Sequence, residues 1–318
     1  MSNTPRLYIQ EVSVRDGFQI EPQFVPTEHK VALINALSRT GLSKIEVTSF
    51  TSPKAIPNLA DAEAVMQQID RVPGVTYAVL VPNVRGCERA LSCGVDEINV
   101  FMSASRSHNM ANLRMLPEQS LAQFESIVEH VDGRAFMNAS LSTAFGCPFE
   151  GEVAAEHVLD LVEKFVAMGM QGVSLCDTTG MANPRQVEEL CAEALRRWPH
   201  IVFTAHFHNT RGMGLANVLA ALRAGVRHFD ASLGGLGGCP FAPGASGNVC
   251  TEDMVHMLHA MGYETGVDLP LLLQAAQTLP DIVGHDIPGQ VVKAGPWTRR
   301  YPLPDSARAA LEATQDSV

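Results

Sequence analysis

The chain has 318 residues, 46% of them hydrophobic and 18% charged, with 23 basic against 34 acidic side chains and a formal net charge of −11. An acidic chain without a basic block is a poor partner for nucleic acid or an anionic membrane, and no apolar run approaches the roughly 20 residues of a membrane span. The seven cysteines are odd in number and contain no Cys-x-x-Cys, which argues for a reducing compartment, and with no leader pattern over Met1–Pro5 a cytoplasmic enzyme is expected.

Strand-length apolar runs alternate with segments of helical period along the chain. Leu7–Val14 leads to a helix over Thr27–Thr40, Lys44–Phe50 to Asp61–Asp70, Thr76–Pro82 to Val84–Ser92, and Glu97–Ala104 to Pro117–Val131. Arg134–Ser142 leads to Ala154–Met168, Gly172–Thr178 to Pro184–Trp198, Ile201–Asn209 to Met213–Ala224, and His228–Gly234 to Thr251–Met261. Eight such repeats with near-continuous apolar strands predict a closed parallel (β/α)8 TIM barrel buried on both faces. An open doubly wound sheet is disfavoured, because no Gly-x-Gly-x-x-Gly follows the first strand. The barrel is expected over 1–262. Residues 263–318, with one further apolar segment at Leu269–Leu279, are expected as a C-terminal helical extension packed on it rather than a second domain.

In such barrels the chemistry sits at the C-terminal ends of the strands. The polar residues there are Arg15-Asp16-Gly17 with Gln19 after strand 1, Glu46 on strand 2, Asp177 after strand 6, and His206-Phe207-His208 on strand 7. Residues i and i+2 of a strand share a face, so the two imidazoles converge on one point. Asp16 and Asn248 can add a carboxylate and a carbonyl oxygen. Mixed nitrogen and oxygen ligation suits Mg2+ or Mn2+ better than structural zinc, and about four protein ligands leave positions open for substrate oxygens. Arg15 reads either as an ion-pair partner of Asp16 or as a cation for a developing enolate, with the second favoured. Glu46 and Asp177 read equally as partners of Arg15, as orienting groups or as general bases. Cys239 sits among glycines at 234, 235, 237, 238, 244 and 247, in a loop able to close over a substrate and deliver a proton. Cys147, in a second Gly-Cys-Pro-Phe without those glycines, reads as structural.

From about Leu7 to Gly266 the chain resembles the 3-hydroxy-3-methylglutaryl-CoA lyase family of metal-dependent carbon–carbon lyases. The resemblance rests on Val14-Arg15-Asp16-Gly17-Phe18-Gln19, Glu46-Val47-Thr48-Ser49-Phe50, Gly146-Cys147-Pro148-Phe149, Asp177-Thr178, His206-Phe207-His208 and the run from Gly235 to Asn248. It implies a TIM barrel with Asp16, His206, His208 and Asn248 as ligands of a divalent metal. Arg15 would polarise the thioester carbonyl, Cys239 would act in proton transfer, and Glu46, Asp177 and Gln19 would support the base and the arginine. The implied reaction is retro-Claisen cleavage of an acyl-CoA substrate to a keto acid and acetyl-CoA, by a homodimer or higher homo-oligomer. Loop cations such as Lys54, Arg85, Arg106 and Arg114 are candidates for the CoA phosphates. The chain departs from the family's pattern at Ile20, Pro22, His108, Asn209 and Pro243. No ligand position is lost, so the departures bear on the acyl group, and citramalyl-CoA stands beside 3-hydroxy-3-methylglutaryl-CoA as a substrate. Asn209 also resembles the Claisen-condensing synthases of the same superfamily, but their next residue is replaced here by Thr210.

Overall fold

The computed structural model describes residues 5–238, 247–308 and 311. Eight strands close into a barrel in chain order: β1 (Tyr8–Glu11), β2 (Lys44–Ser49), β3 (Thr76–Leu80), β4 (Glu97–Ser103), β5 (Phe136–Ser142), β6 (Gly172–Asp177), β7 (Val202–Phe207) and β8 (His228–Ala231). Every neighbouring pair is parallel, and β1 closes the ring on β8 with Tyr8 opposite His228 and Glu11 opposite Ala231. The helices are α1 (Thr27–Leu37), α2 (Ala62–Gln68), α3 (Val84–Ser92), α4 (Arg106–Leu113), α5 (Pro117–Val131), α6 (Ala155–Ala167), α7 (Pro184–Arg197), α8 (Gly214–Ala224), α9 (Thr251–Ala260), α10 (Leu269–Gln277), α11 (Leu279–Val283) and α12 (Val291–Ala294). The expected (β/α)8 barrel is therefore present. No helix among the described residues is long and apolar enough to cross a membrane.

Outward-facing strand residues such as Ile9, Ile45, Val79, Val100, Leu141, Val173, Phe203 and Phe229 are buried with the apolar faces of the helices in one continuous core. The barrel interior corrects the expectation of apolar strands. Gln10, Lys44, Glu46, Glu97, Asn99, Asn138, Ser174 and Asp230 converge on a narrow internal cavity. Strand alternation sends every second residue inward, and these polar groups are tolerated because they satisfy one another. Lys44 Nζ lies 2.6 Å from Glu97 Oε1, for example, and Gln10 Nε2 lies 3.2 Å from His228 Nδ1.

Two further departures position the site. Strand 1 stops at Glu11 rather than Val14, because the chain turns there into one wide helical turn, Ser13–Gly17. The Val12 carbonyl accepts from the amides of Arg15 (3.1 Å), Asp16 (2.7 Å) and Gly17 (3.4 Å). Such π-type turns recur at functional sites, and this one brings Arg15 and Asp16 over the barrel mouth. The segment after strand 4, expected as a loop, forms α4. Its sequence is too polar to show a helical stripe, yet Ser105 caps it by accepting from the His108 amide at 3.1 Å.

Beyond the barrel, the single segment expected at Leu269–Leu279 divides into α10 and α11. Helix α10 packs against α1 and α9, burying Leu269, Leu272, Ala275 and Ala276.

Candidate active site

The mouth of the barrel is assembled from the ends of β1, β2, β6, β7 and β8. His206 lies opposite Asp230 in the β7–β8 register, and His208, one residue past β7, bridges to Asn248. The two imidazole centroids are 5.3 Å apart. Ligand atoms of Asp16, His206 and His208 all lie within 4.8 Å of one another, and all three residues are buried.

The donor set around Asp16 defines what can bind there. Oδ1 accepts from Arg15 Nη1 at 2.6 Å and from Gln19 Nε2 at 2.8 Å. Oδ2 accepts from Asn248 Nδ2 at 2.7 Å and lies 4.0 Å from His208 Nε2. Each carboxylate oxygen has two lone pairs, so the one left over is on Oδ2, on the histidine side. Asn248 spends its second amide hydrogen on the Leu236 carbonyl at 3.0 Å, which fixes its orientation. Its Oδ1 is then buried with no hydrogen-bond partner among the described residues. A buried carbonyl without a donor costs about 1–3 kcal/mol, and a cation would satisfy it. His206 turns Nδ1 to Asp230 Oδ2 at 3.2 Å, so Nε2 is the nitrogen left to ligate. A Cβ at Gly237 would lie 2.6 Å from Asn248 Nδ2, so only glycine there lets the loop approach the cluster.

The electrostatics follow from these contacts. Burial alone would raise the Asp16 carboxyl, but Arg15 and the two histidines outweigh it and hold its pKa at about 2. Burial likewise opposes the charge on Arg15, yet Glu46 and Asp16 push its pKa up. Arg15 donates Nε to Glu46 Oε2 at 2.5 Å, and its Nη2 also lies 2.5 Å from that oxygen.

Asp177 is built differently. Its Oδ1 accepts the amides of Met181 at 2.7 Å and Ala182 at 3.0 Å in the turn after β6. Its Oδ2 is buried and has no hydrogen-bond partner among the described residues. Burial raises the pKa to about 6, against the pull of those amides and of His206. Of the two acids read alike from sequence, Glu46 is thus the partner of Arg15 and Asp177 is not.

Cys239, with Pro243, lies outside the described residues. Cys147 is buried, and its Sγ contacts Ser105 Oγ at 2.8 Å and accepts the Phe149 and Glu150 amides. Among the departures from the family's pattern, His108 is buried with Nδ1 2.6 Å from Ser103 Oγ. Asn209 accepts the Gly214 amide at 3.0 Å, at the start of α8. Both serve local structure. Ile20 is 40% exposed.

Two residues absent from the sequence reading belong to this site. Asp230 orients His206, and Asn99 donates Nδ2 to Glu46 Oε1 at 2.9 Å. Their signal was the alternation itself: His228-x-Asp230 and Glu97-x-Asn99 put polar residues at successive inward positions.

The HMGL-like family matches residues 6–279. A hydroxymethylglutaryl-CoA lyase of Bacillus subtilis is 48% identical over 286 residues, which is 90% of this chain and 96% of the relative. The mitochondrial hydroxymethylglutaryl-CoA lyase of Gallus gallus is 42% identical over 84% of this chain and 90% of its own length. Among solved structures, an HMG-CoA lyase from A. baumannii, in complex with coenzyme A and 3-methylmalate, superposes with a TM-score of 0.92 at 50% identity. The match covers 96% of this chain and all of that one.

Proposed function

The chain belongs to the HMGL-like family, and from that premise we propose that it is a divalent-metal-dependent acyl-CoA lyase. It cleaves 3-hydroxy-3-methylglutaryl-CoA to acetoacetate and acetyl-CoA. The observation that carries this reading is the buried Asp16–His206–His208 cluster with Asn248 Oδ1 left without a donor beside it. Oxygen and imidazole donors without thiolate suit Mg2+ or Mn2+. When bound, the ion supplies Lewis-acid polarisation of the substrate oxygens.

The chain's own residues supply the rest. Arg15 has five N–H groups and commits Nε and Nη2 to Glu46 and Nη1 to Asp16. Two remain to hold the thioester oxygen, on which negative charge grows as the C2–C3 bond breaks. Asp177 takes the proton of the 3-hydroxyl. An acid raised to about 6 suits a general base at neutral pH, and its bare Oδ2 leaves room for that proton. As C3 becomes a carbonyl, the C2–C3 electron pair passes to the acetyl-CoA enolate. The thiol of Cys239 then delivers a proton to C2. Gln19 and Asn248 hold the Asp16 carboxylate on both sides. Residues 1–262 carry this chemistry, the stretch from 263 onward is an extension of the same unit rather than a second domain, and the working unit is a homodimer or higher homo-oligomer.

The test is acetyl-CoA release from a panel containing 3-hydroxy-3-methylglutaryl-CoA and citramalyl-CoA, with Mg2+ or Mn2+ and with a chelator. Metal-dependent release of acetyl-CoA with acetoacetate is expected. Release of pyruvate from citramalyl-CoA instead reassigns the acyl group. Release of free CoA from acetyl-CoA and a 2-oxo acid, without cleavage, makes the protein a synthase.

A further inference from the structure

Glu46 anchors Arg15, but nothing in the sequence motifs explains what anchors Glu46. It is buried at 4% exposure, inside the barrel. One oxygen, Oε2, is committed to the arginine. The other, Oε1, receives Asn99 Nδ2 at 2.9 Å from β4. Asn99 Oδ1 in turn accepts from Asn138 Nδ2 at 2.9 Å and from Ser140 Oγ at 2.9 Å, both on β5. Asn138 also places Nδ2 3.0 Å from Ser174 Oγ on β6. These contacts form a chain of two amides and two hydroxyls across β4, β5 and β6 that ends on the acid holding Arg15.

The direction of that chain is forced. A carboxylate only accepts hydrogen bonds, so Asn99 must turn its NH2 to Glu46. Its carbonyl then faces β5, and Asn138 must turn its NH2 toward it. A reversed Asn99 would set two acceptors against each other in a buried site, at the cost of a lost charge-assisted hydrogen bond. Asn99 thus holds Glu46 by Oε1, and the other oxygen, Oε2, is the one turned to Arg15.

We propose that Asn99, held by Asn138 and Ser140, is a positioning residue for the reaction: it locks Glu46, and through it the guanidinium of Arg15 that receives the thioester oxygen. This rests on the lyase reading for its kinetic consequence, though not for its geometry. Removing the amide leaves Glu46 Oε1 buried without a donor, freeing Glu46 and Arg15 to turn away from the substrate.

Asn99→Leu, which keeps the branching at Cγ and the number of side-chain heavy atoms and removes the donor, is the test. A group that orients a catalytic one is worth about 10–100-fold. The expected result is a kcat loss of that size, a KM within about threefold of the parent's, and a Mn2+ affinity by calorimetry that falls by less than kcat does, since Asn99 reaches the ligand Asp16 only through Glu46 and Arg15. In a crystal structure of the variant the Arg15–Glu46 pair is displaced. Asn138→Leu loses less in the same direction, because Asn99 keeps Ser140. Should Asn99→Leu not fold, Asn99→Asp gives the same test, since it keeps the shape but sets an acceptor against Glu46. A variant with the parent's kcat and an unmoved Arg15–Glu46 pair overturns the proposal. If the parent itself cleaves no acyl-CoA, the lyase reading fails, and the crystal structure still decides whether Asn99 fixes Arg15.

Discussion

Two aspartates stand at the mouth of the same barrel, about equally buried and each at or just past the end of a strand, and the structure makes opposite acids of them. Asp16, on the turn after β1, is surrounded by donors and positive charge and stays ionised down to about pH 2. Asp177, ending β6, has two amides on one oxygen and none on the other, and its pKa rises to about 6. Burial disfavours the charge on both. Arg15 reverses that outcome at β1, and no side-chain cation hydrogen-bonds to Asp177 at β6 among the described residues. One carboxylate is thereby suited to hold a cation and the other to hold a proton, a division set by neighbours rather than by residue type.

The comparison breaks most completely at Asp16. Asp16→Asn removes the charged ligand and the lone pair on Oδ2. Turnover is expected to fall at least about 10⁴-fold, the upper end of a general-base loss or more, at any Mn2+ concentration reached in the coupled acetyl-CoA assay. Asp177→Asn comes next, with kcat down about 10²–10⁴-fold, the range for a lost general base.

The same substitution has a stability signature with the opposite sign. The folded pKa of about 6 lies above the ordinary aspartate value of 3.8, so folding favours the protonated acid. The cost of holding Asp177 ionised is absent below about pH 4, builds between pH 4 and 6, and is constant above, at roughly 3 kcal/mol. In urea unfolding with chelator, Asp177→Asn is therefore expected to match or exceed the parent's stability at pH 8, and its relative advantage should shrink as pH falls to 4. A gap that does not change with pH would show that Asp177 is not held near 6.

Asp230→Asn sharpens the metal side. His206 would lose its charged orienting partner, and Mn2+ affinity by calorimetry should weaken about 10-fold, the low end for such partners. The two thiols separate from each other, and the smallest effect of all is reserved for Cys147. Cys147→Ser, in its buried turn, should change kcat by less than about threefold. Cys239→Ser, in the proposed lyase role, should lower it by about 10²-fold, and equal effects at the two positions would remove Cys239 from proton transfer.

Much of this site could be read from the chain because its parts are short-range. His206-x-His208 converges through strand geometry alone, and Arg15-Asp16 and the glycine run around Asn248 fall where barrel loops carry chemistry. The β/α alternation was equally plain, since outward-facing strand residues are apolar and helix stripes are regular. What stayed hidden depends on partners far apart in sequence. The roles of Glu46 and Asp177 were open because only the fold shows that Arg15 reaches one across 31 positions and not the other. Asn99, Asn138 and Asp230 sit in strands that read as apolar, and their polarity is tolerable only because each finds a partner on a neighbouring strand. The wide turn at Ser13–Gly17 and helix α4 were missed because backbone hydrogen bonding and a serine cap make them, not a hydrophobic pattern.

The most direct test of the division between the two acids is a Mn2+ titration by calorimetry on the parent, Asp16→Asn and Asp177→Asn, with turnover measured on the same samples. The account predicts that Asp16→Asn loses metal and turnover together, while Asp177→Asn binds Mn2+ within about threefold of the parent and loses turnover alone. Metal binding that survives in Asp16→Asn, or vanishes in Asp177→Asn, would contradict it.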